Sequence, residues 1–591
     1  MSAYTAPLKD MRFVLHELAG LGEVAKLPGY EEATPDTVDA ILEEAARFAR
    51  EVLDPLNRSG DQEGSKWSDG DVRTPKGFRD AYRKFAEGGW NALPFEPDWG
   101  GQGLPKLVAT PVDEMWTSAN MSFSLCPLLT QGAVHALSLR GSPALQNAYI
   151  PKMVSGEWTG TMNLTEPQAG SDLALVKTRA VKEGNHYRIS GQKIFITYGE
   201  HDLTKQIVHL VLARTPEAPE GTKGISLFVV PKFLVKPDGS LGERNGARCA
   251  SLEHKLGIHA SPTAVMIYED AVGYLVGEEN RGLETMFIMM NAARFGVGLE
   301  GVALAERAFQ RALAFAKERL QGRDLVAGGK TVPIIRHPDV RRMLMLMKSQ
   351  TEAMRALAYV VAAALDHASR HPDEKMRQKH QAFVDLMIPI VKGWCTETGI
   401  DVASLGVQVH GGMGFVEETG AAQYLRDARI TTIYEGTTGI QAMDLVGRKI
   451  ARDGGATAKA WLAQLQAFDA ELGRSSSPDI QGLRRQLADG VQALADCVQF
   501  IVSEKDPHAA FAGAVPFLKL AGIVAGGWQM GRAALAAEQK MTSDMSFYQA
   551  KIATARFYGD HVLVQAAGLR DTVVKGSAGV MALTEEQFLA A

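Results

Sequence analysis

The sequence predicts an α+β protein of several domains, and three observations lead to this prediction. The chain has 591 residues, a length that corresponds to about three to four domains. The spacing of its apolar residues changes three times, from helical to strand-like, back to helical, and then to an Ala-rich helical pattern. The strand-like runs stand in one block and do not alternate with helices, which disfavours a parallel βαβ fold.

The first predicted domain, residues 1–157, is helical. Its segment VDAILEEAARFAREVLDPL repeats apolar residues at intervals of three and four, as a helix with one buried face does. Pro55 is expected to end this helix, because proline cannot donate the backbone hydrogen bond that continues it. The later stretch ALPFEPDWGGQGLP predicts a loop.

The second predicted domain, residues 158–281, consists of strands. The runs HYRISGQKIFIT, IVHLVLAR, GISLFVV and AVMIYEDAVGYLV are rich in β-branched and aromatic residues, and turn residues separate them. Such runs are typical of neighbouring strands in an antiparallel sheet.

Two helical domains complete the prediction. Residues 282–447 begin with the long apolar pattern LETMFIMMNAARFGVGLEGVALAERAFQRALAFAKERL, and residues 448–591 form an additional Ala-rich domain. In that last domain GRSSSPD predicts a loop, while WLAQLQAFDAEL suits a helix that packs on the preceding domain. Its role is predicted to be structural or dimer-forming.

Composition narrows the function classes. The net charge of −5 gives no reason to expect nucleic acid or an anionic membrane as the main partner. The four cysteines lie far apart without a CxxC pair, so neither a zinc site nor a disulfide framework is expected, and a cytoplasmic location fits. The N-terminus has no apolar core of a signal peptide, and no run of about 18 apolar residues predicts a transmembrane helix.

Two segments in the strand block carry polar groups suited to a flat ligand. NLTEPQAGSDLALVKT contains Thr165 and Ser171 in a loop that follows a strand, and loop N–H groups can hold a ring edge or a phosphate. In GQKIFITYGE, strand alternation places Phe195 and Thr197 on one face and Ile194 and Ile196 on the other. Taken alone, the first segment fits a well-capped connection better than a ligand site, and the second fits an ordinary half-buried strand better.

A third segment, TTIYEGTTGIQ, holds one acid, Glu435, among uncharged residues. An isolated Glu in a Gly/Thr turn is usually a solvated carboxylate. The alternative is a base in a dry pocket, since removal from water raises the pKa of a carboxyl and strengthens it as a base.

The three segments, in this order and spacing, resemble the acyl-CoA dehydrogenase family from about Thr37 to Val446. KLGIHASPT, KERLQGRD and the C-terminal extension are similar to the long subset of that family. That subset includes dehydrogenases of 3-(methylthio)propanoyl-CoA and of medium- and long-chain acyl-CoA. The resemblance implies an N-terminal helical domain, a middle β-barrel, a C-terminal four-helix bundle, and FAD between barrel and bundle.

The resemblance also implies roles for individual residues. Thr165 and Thr197 would bond the edge of the flavin ring of FAD, and Phe195 would lie against its face. Ser171 would contact the FAD phosphates or the CoA arm, and Thr437 would contact the nucleotide end of FAD. Arg319 and Gln408, near Gly412 in the HGGMGF segment, would reach FAD of a neighbouring subunit. Arg294 would help to hold the CoA portion of the substrate, and Gly436 would admit the thioester because it lacks a Cβ.

The same resemblance implies that Glu435 abstracts the α-proton of the acyl thioester while flavin accepts the β-hydride. Some family members carry the base on a helix instead, at the position occupied here by Ala293, which cannot act. Ile433 and Tyr434 are expected to exclude water from the Glu435 carboxylate. Asn291, Gly439 and Met162 depart from common family residues, which puts the contacts made at those positions in doubt.

These features predict an FAD-dependent acyl-CoA dehydrogenase that produces a trans-2-enoyl-CoA. An acyl-CoA oxidase using O₂ has the same fold and base, and the sequence does not separate the two. A DNA-associated flavoprotein is disfavoured, because residues 451–591 hold 13 basic and 14 acidic side chains and no basic surface is expected. Electron-transfer flavoprotein is the expected acceptor and a homodimer the expected assembly, with no metal ion.

Overall fold

The computed structural model describes residues 3–326 and 328–589. Its first part is helical, as predicted. These helices are α1 to α7: Leu8–Phe13, Leu21–Val24, Pro35–Phe48, Asp54–Glu63, Phe78–Glu87, Lys106–Arg140 and Pro143–Val154. A short hairpin of β1 (Lys66–Ser68) and β2 (Asp71–Arg73) lies between α4 and α5.

The prediction that Pro55 ends the first long helix is wrong. Helix α3 passes into a π-helical turn, Ala49–Leu53, and α4 follows directly. In that π turn the Asp54 N–H bonds to the Ala49 carbonyl five residues back, and this wider turn lets the helix continue past Pro55.

The middle part contains the strands β3 to β11, which are Trp158–Asn163, Arg179–Glu183, His186–Thr197, Gln206–Ala213, Ser226–Pro231, Phe233–Val235, Leu241–Arg244, Ala247–Leu252 and Thr263–Val276. Seven of them form one sheet with the order β3-β6-β7-β11-β5-β4, in which β10 also pairs with β11. The N-terminal part of the long strand β11 pairs with β5 and β10, and its last residues pair with β7. This strand therefore belongs to both halves of the sheet. Strands β8 and β9 form a separate antiparallel hairpin.

The third part consists of long helices. Helices α8 (Gly282–Glu318), α9 (Pro338–Arg370) and α10 (Glu374–His410) pack on one another, and α11 (Ala421–Ala428) and α12 (Thr438–Met443) pack on α10. The hairpin of β12 (Leu320–Asp324) and β13 (Gly328–Pro333) connects α8 to α9.

The additional C-terminal domain contains the helices α13 to α19, which are Ala456–Leu472, Pro478–Ser503, Pro507–Ala512, Ala514–Gln539, Met545–His561, Ala566–Lys575 and Ser577–Val580. It packs on the bundle through α16 and α17. Gly522 of α16 lies so close to Trp394 of α10 that a Cβ would come within 2.1 Å of the indole, so the close approach depends on glycine. The predicted order of helical, β, bundle and additional helical domains is confirmed.

Among the described helices, only α8 is long and apolar enough to cross a membrane by length and composition. Its most apolar window is 67% buried inside the protein, as is expected of the core helix of a bundle.

Candidate active site

The base-loop, defined here as Ile433–Thr437, joins a 3₁₀ turn to helix α12. Glu435 has φ +55° and Gly436 has φ +87°, so two successive residues adopt the left-handed conformation. That conformation costs a residue with a Cβ free energy, and it persists where neighbouring groups hold it. A Cβ on Gly436 would lie 2.7 Å from Nε2 of Gln441, so this position requires glycine.

Hydrogen bonds hold the base-loop from both sides. Lys392 Nζ, on α10, donates to the carbonyl of Gly436 at 2.7 Å. Gln441 Nε2 donates to the carbonyls of Glu435 and Gly436 at 3.2 Å each. On the other side the Tyr434 hydroxyl bonds to the carboxyl of Glu300 on α8. These contacts fix the strained backbone that presents the Glu435 side chain.

The surroundings of Glu435 suit a general base. Burial raises the pKa of Glu435 to about 7, and the nearby Lys392 and Arg294 limit that rise. Arg294 is only 5% exposed and its Nη1 lies 3.4 Å from Asp444 Oδ2. A carboxyl with a pKa near neutrality can accept a proton at physiological pH and is a stronger base than a solvated one.

Phe195 stands on the surface of the β domain in an unusual conformation. It has φ +60°, the pairing of β5 with β11 shifts register beside it, and its side chain is 59% exposed. Ile196 on the other face is 2% exposed, as alternation predicts, whereas Ile194, next to the register shift, is half-buried. The bulge therefore turns an aromatic ring out of the sheet.

The loop that carries Thr165 lies directly beside Phe195. The amide of Ile194 donates to the carbonyl of Thr165 at 2.9 Å. A buried ion pair fixes the loop from below: Lys193 Nζ lies 2.8 Å from Glu166 Oε1, and Glu166 also accepts from Thr178. Lys193 and Glu166 make this loop rigid, a contribution that the sequence did not reveal.

The end of β5 is linked to the bundle through its pairing with the start of β11. Thr197 is paired with Thr263 of β11. The loop before β11 reaches α11, where the amide of Ile258 donates to Asp427 Oδ1 at 2.6 Å. Because α11 leads through one 3₁₀ turn into the base-loop, the polar edge of the β domain and Glu435 lie at the same domain boundary.

The residues at this boundary fit FAD. The exposed Phe195 ring offers a face for a flat ring system, and the half-buried Thr165 and Thr197 stand beside it with groups that can bond a ring edge. Near the base-loop, Arg294 Nε and Gln441 Oε1 are buried without a hydrogen-bond partner in the described structure. Buried polar atoms without a partner are costly, so these atoms are suited to a bound polar group.

Other predicted site residues have clear local roles. Thr437 Oγ1 accepts from the amide of Ile440 and so caps α12. Ser171 is exposed beside Asp172, which caps the short 3₁₀ turn after it. Neither arrangement tests the nucleotide or CoA contacts predicted for them.

Arg319, Gln408 and Gly412 lie elsewhere, at the C-terminal ends of α8 and α10. Phe315 and His410 stack with ring centroids 4.4 Å apart and hold these ends together. All three residues are exposed in the single chain, which is compatible with the predicted contact to a neighbouring subunit.

The positions that depart from the family differ in what the structure explains. Met162 is half-buried in β3 and Asn291 is exposed on α8. A Cβ at Gly439 would meet only Thr437 Oγ1, at 3.7 Å, so nothing in the structure explains this glycine.

Glu300 and Lys392 are the main site residues that sequence reasoning missed. Ile433, predicted to exclude water from the base, is itself 47% exposed, whereas Tyr434 is half-buried and bonds to the buried Glu300. A signal for Glu300 existed: it follows Ala293 by seven residues, so it lies on the same face of α8 as the alternative base position.

Comparisons with known proteins agree with this geometry. Family models match four successive segments: Acyl-CoA dehydrogenase, N-terminal domain, at residues 35–157; the middle domain at 161–271; the C-terminal domain at 280–450; and Acetyl-CoA dehydrogenase C-terminal like at 460–584. The chain is 51% identical over 570 residues to the 3-methylmercaptopropionyl-CoA dehydrogenase of Ruegeria pomeroyi, covering 95% of this chain and 97% of that relative.

Solved structures show the same architecture. An acyl-CoA dehydrogenase complexed with FAD from Bacillus anthracis has a TM-score of 0.73 at 21% identity, covering 98% of this chain and 93% of that one. A chain of the electron transferring flavoprotein structure of Acidaminococcus fermentans has a TM-score of 0.57 at 26% identity, covering 70% of this chain and 97% of that one. The four family models and the close, full-length relative show that this chain belongs to the acyl-CoA dehydrogenase family, and is an FAD-dependent oxidoreductase acting on an acyl-CoA.

Proposed function

We propose that this enzyme converts 3-(methylthio)propanoyl-CoA to its trans-2-enoyl product, with Glu435 as the base. The observation that carries the base assignment is the Glu435 carboxyl, held on a strained loop with a pKa raised to about 7. The substrate is supported by the 51% identity to the Ruegeria pomeroyi enzyme over almost the whole chain.

In this proposal Glu435 removes the proton from the α-carbon of the thioester. Lys392 and Arg294 favour the ionised base before the transfer, and Gly436 lets the thioester approach the loop backbone. Thr165, Thr197 and Phe195 would hold the flavin ring. FAD supplies the acceptor for the hydride from the β-carbon when it is bound.

The remaining site residues contact the nucleotide or the CoA. Ser171 and Thr437 are assigned to the phosphate and nucleotide ends. Arg319, Gln408 and Gly412 are assigned to the FAD of a neighbouring subunit, in keeping with their exposure on one chain. The proposed assembly is a homodimer, and a mass near four chains by light scattering contradicts it.

Glu435→Gln tests the base. The change preserves shape and removes the basic oxygen, so the rate of flavin reduction by substrate is expected to fall by about 10²–10⁴-fold, the usual contribution of a general base. Bound FAD and its yellow colour are retained. Glu418→Gln, at an exposed residue, is the matched control and keeps the parent rate. Near-normal reduction of flavin in Glu435→Gln refutes the base assignment.

Pentanoyl-CoA tests the substrate, because it differs from 3-(methylthio)propanoyl-CoA only by CH₂ in place of sulfur. We expect kcat/KM with a dye acceptor to be highest for the methylthio substrate in a panel that also contains butanoyl-, hexanoyl- and hexadecanoyl-CoA. A clear preference for the longer chains contradicts the proposal and favours the medium- and long-chain alternative.

Electron-transfer flavoprotein is the proposed electron acceptor, supported by the similarity to a chain in the Acidaminococcus fermentans structure. The substrate-reduced enzyme is expected to pass electrons to it rapidly and to react slowly with air. Rapid release of H₂O₂ in air identifies an oxidase instead. A cytoplasmic location is proposed, in keeping with four cysteines that are free and buried.

A further inference from the structure

Glu300 is a buried acid directly behind the base-loop. It lies on α8, six residues after Arg294, and is only 2% exposed. One carboxyl oxygen bonds to the hydroxyl of Tyr434, the residue immediately before Glu435. The other oxygen, Oε1, is buried without a hydrogen-bond partner in the described structure. A carboxylate with one oxygen unpaired is expensive to bury in its charged form.

Charged groups approach Glu300 from three elements. Lys392 faces it from α10 and Glu435 faces it from the base-loop. Arg294 lies on its own helix and is compensated by Asp444, with Arg448 beside it. Lys392 is itself fully buried. Among the acids around it, its electrostatic attraction is strongest to Glu435, weaker to Glu300 and weakest to Glu397 of α10.

This arrangement gives two acids one shared ammonium group. Two carboxylates in the same dry region cannot both ionise without cost, so the one with fewer partners keeps its proton. Glu300 has the single Tyr434 contact, whereas Glu435 faces both Lys392 and Arg294. When Glu300 is neutral, the positive charge of Lys392 stabilises the Glu435 carboxylate alone of these two acids.

We propose that Glu300 is a positioning residue for Glu435: it anchors the base-loop through Tyr434 and, by keeping its own proton, reserves Lys392 as the counter-charge of the base. This inference rests on the proposed role of Glu435. The direction of its pKa agrees with it, since burial raises the pKa of Glu300 and the unpaired Oε1 leaves the charged form without compensation.

The two functions of Glu300 predict different effects for two variants. Glu300→Gln keeps an acceptor for Tyr434 and removes the acidic proton. Tyr434→Phe keeps the acid and removes the anchor. Because the Tyr434 bond lowers the pKa of Glu300, its loss should raise that pKa further and also loosen the loop.

Infrared difference spectroscopy of the FAD-loaded enzyme reads the proton directly. At pH 6.5 the parent minus Glu300→Gln spectrum should contain the C=O stretch of a protonated carboxylic acid. With rising pH this band should disappear at a midpoint above the kinetic pKa of flavin reduction. Tyr434→Phe should retain the band with a higher midpoint. Its rate of flavin reduction at pH 7 should fall by up to about 10²-fold, the cost of a catalytic group displaced by about 1 Å.

Tyr359→Phe is the matched control. Tyr359 also donates to a buried carboxylate, Glu114, at 2.7 Å, in the core of the bundle. It should lose stability but keep the parent band, midpoint and rate.

Absence of the acid band from the parent minus Glu300→Gln spectrum overturns the inference, as does a Tyr434→Phe enzyme with the parent midpoint and rate. A different failure identifies the other assumption: if Glu435→Gln still reduces flavin, the base assignment is wrong, whatever the state of Glu300.

Discussion

Lys551 of the C-terminal domain closes a buried network of charges, and its replacement by Met should destabilise the protein. Its Nζ bonds to Asp10 of α1 and lies 2.9 Å from Glu352 of α9, and the residue is 5% exposed. Asp10 in turn bonds to Arg355 at 2.7 Å. The network thus joins the N-terminal segment, the bundle and the additional domain.

The expected loss of stability follows from the ion pairs that Asp10 and Glu352 keep when Lys551 is replaced. Removing one partner of a buried ion pair costs about 3–5 kcal/mol, mostly because a charge is left without compensation. Here Asp10 keeps Arg355, and Glu352 keeps Lys348. We therefore expect the lower end of the range for Lys551→Met, about 3 kcal/mol.

Urea unfolding of the FAD-loaded enzyme, followed by circular dichroism, measures this cost. Lys540→Met is the matched control. Lys540 also joins the C-terminal domain to the N-terminal segment, through Glu17 at 2.6 Å, but its side chain is 45% exposed, and a surface pair contributes about 1 kcal/mol or less. Adding Asp10→Asn to Lys551→Met should restore part of the loss. Equal effects of Lys551→Met and Lys540→Met refute the reasoning.

Three further predictions concern the active site. Phe195→Ala should weaken FAD binding at least tenfold in a fluorescence titration, because the loss of about 1.4 kcal/mol of ring contact is enough for that change. Val181→Ala, at another exposed strand residue, is the control. An unchanged affinity of Phe195→Ala for FAD contradicts the assignment. Gly436→Ala should lower flavin reduction about tenfold or more, because the added Cβ displaces Gln441. The rate of flavin reduction should rise as pH increases through about 7, where Glu435 ionises; a flat profile from pH 5.5 to 8 contradicts it.

Much of the fold could be predicted because its signals are local. Strand β5 coincides with the HYRISGQKIFIT run, and the GRSSSPD loop separates α13 from α14. Alternation and helical spacing report burial on one face, so they locate elements without knowledge of their neighbours. The turn around Glu435 was visible for the same reason, since Gly and Thr favour a turn, whereas the role of its acid came from the resemblance to the family.

The tertiary structure alone decided what surrounds that acid. In the sequence, Glu300 and Lys392 are single charged residues on two different long helices. Folding brings both of them to the base-loop. Pro55 reads as a helix end, but a preceding π turn lets the helix continue. The sequence by itself determined the elements and the identity of the candidate base. Burial and charge pairing, which depend on contacts between residues far apart in the chain, decided the protonation and position of that base.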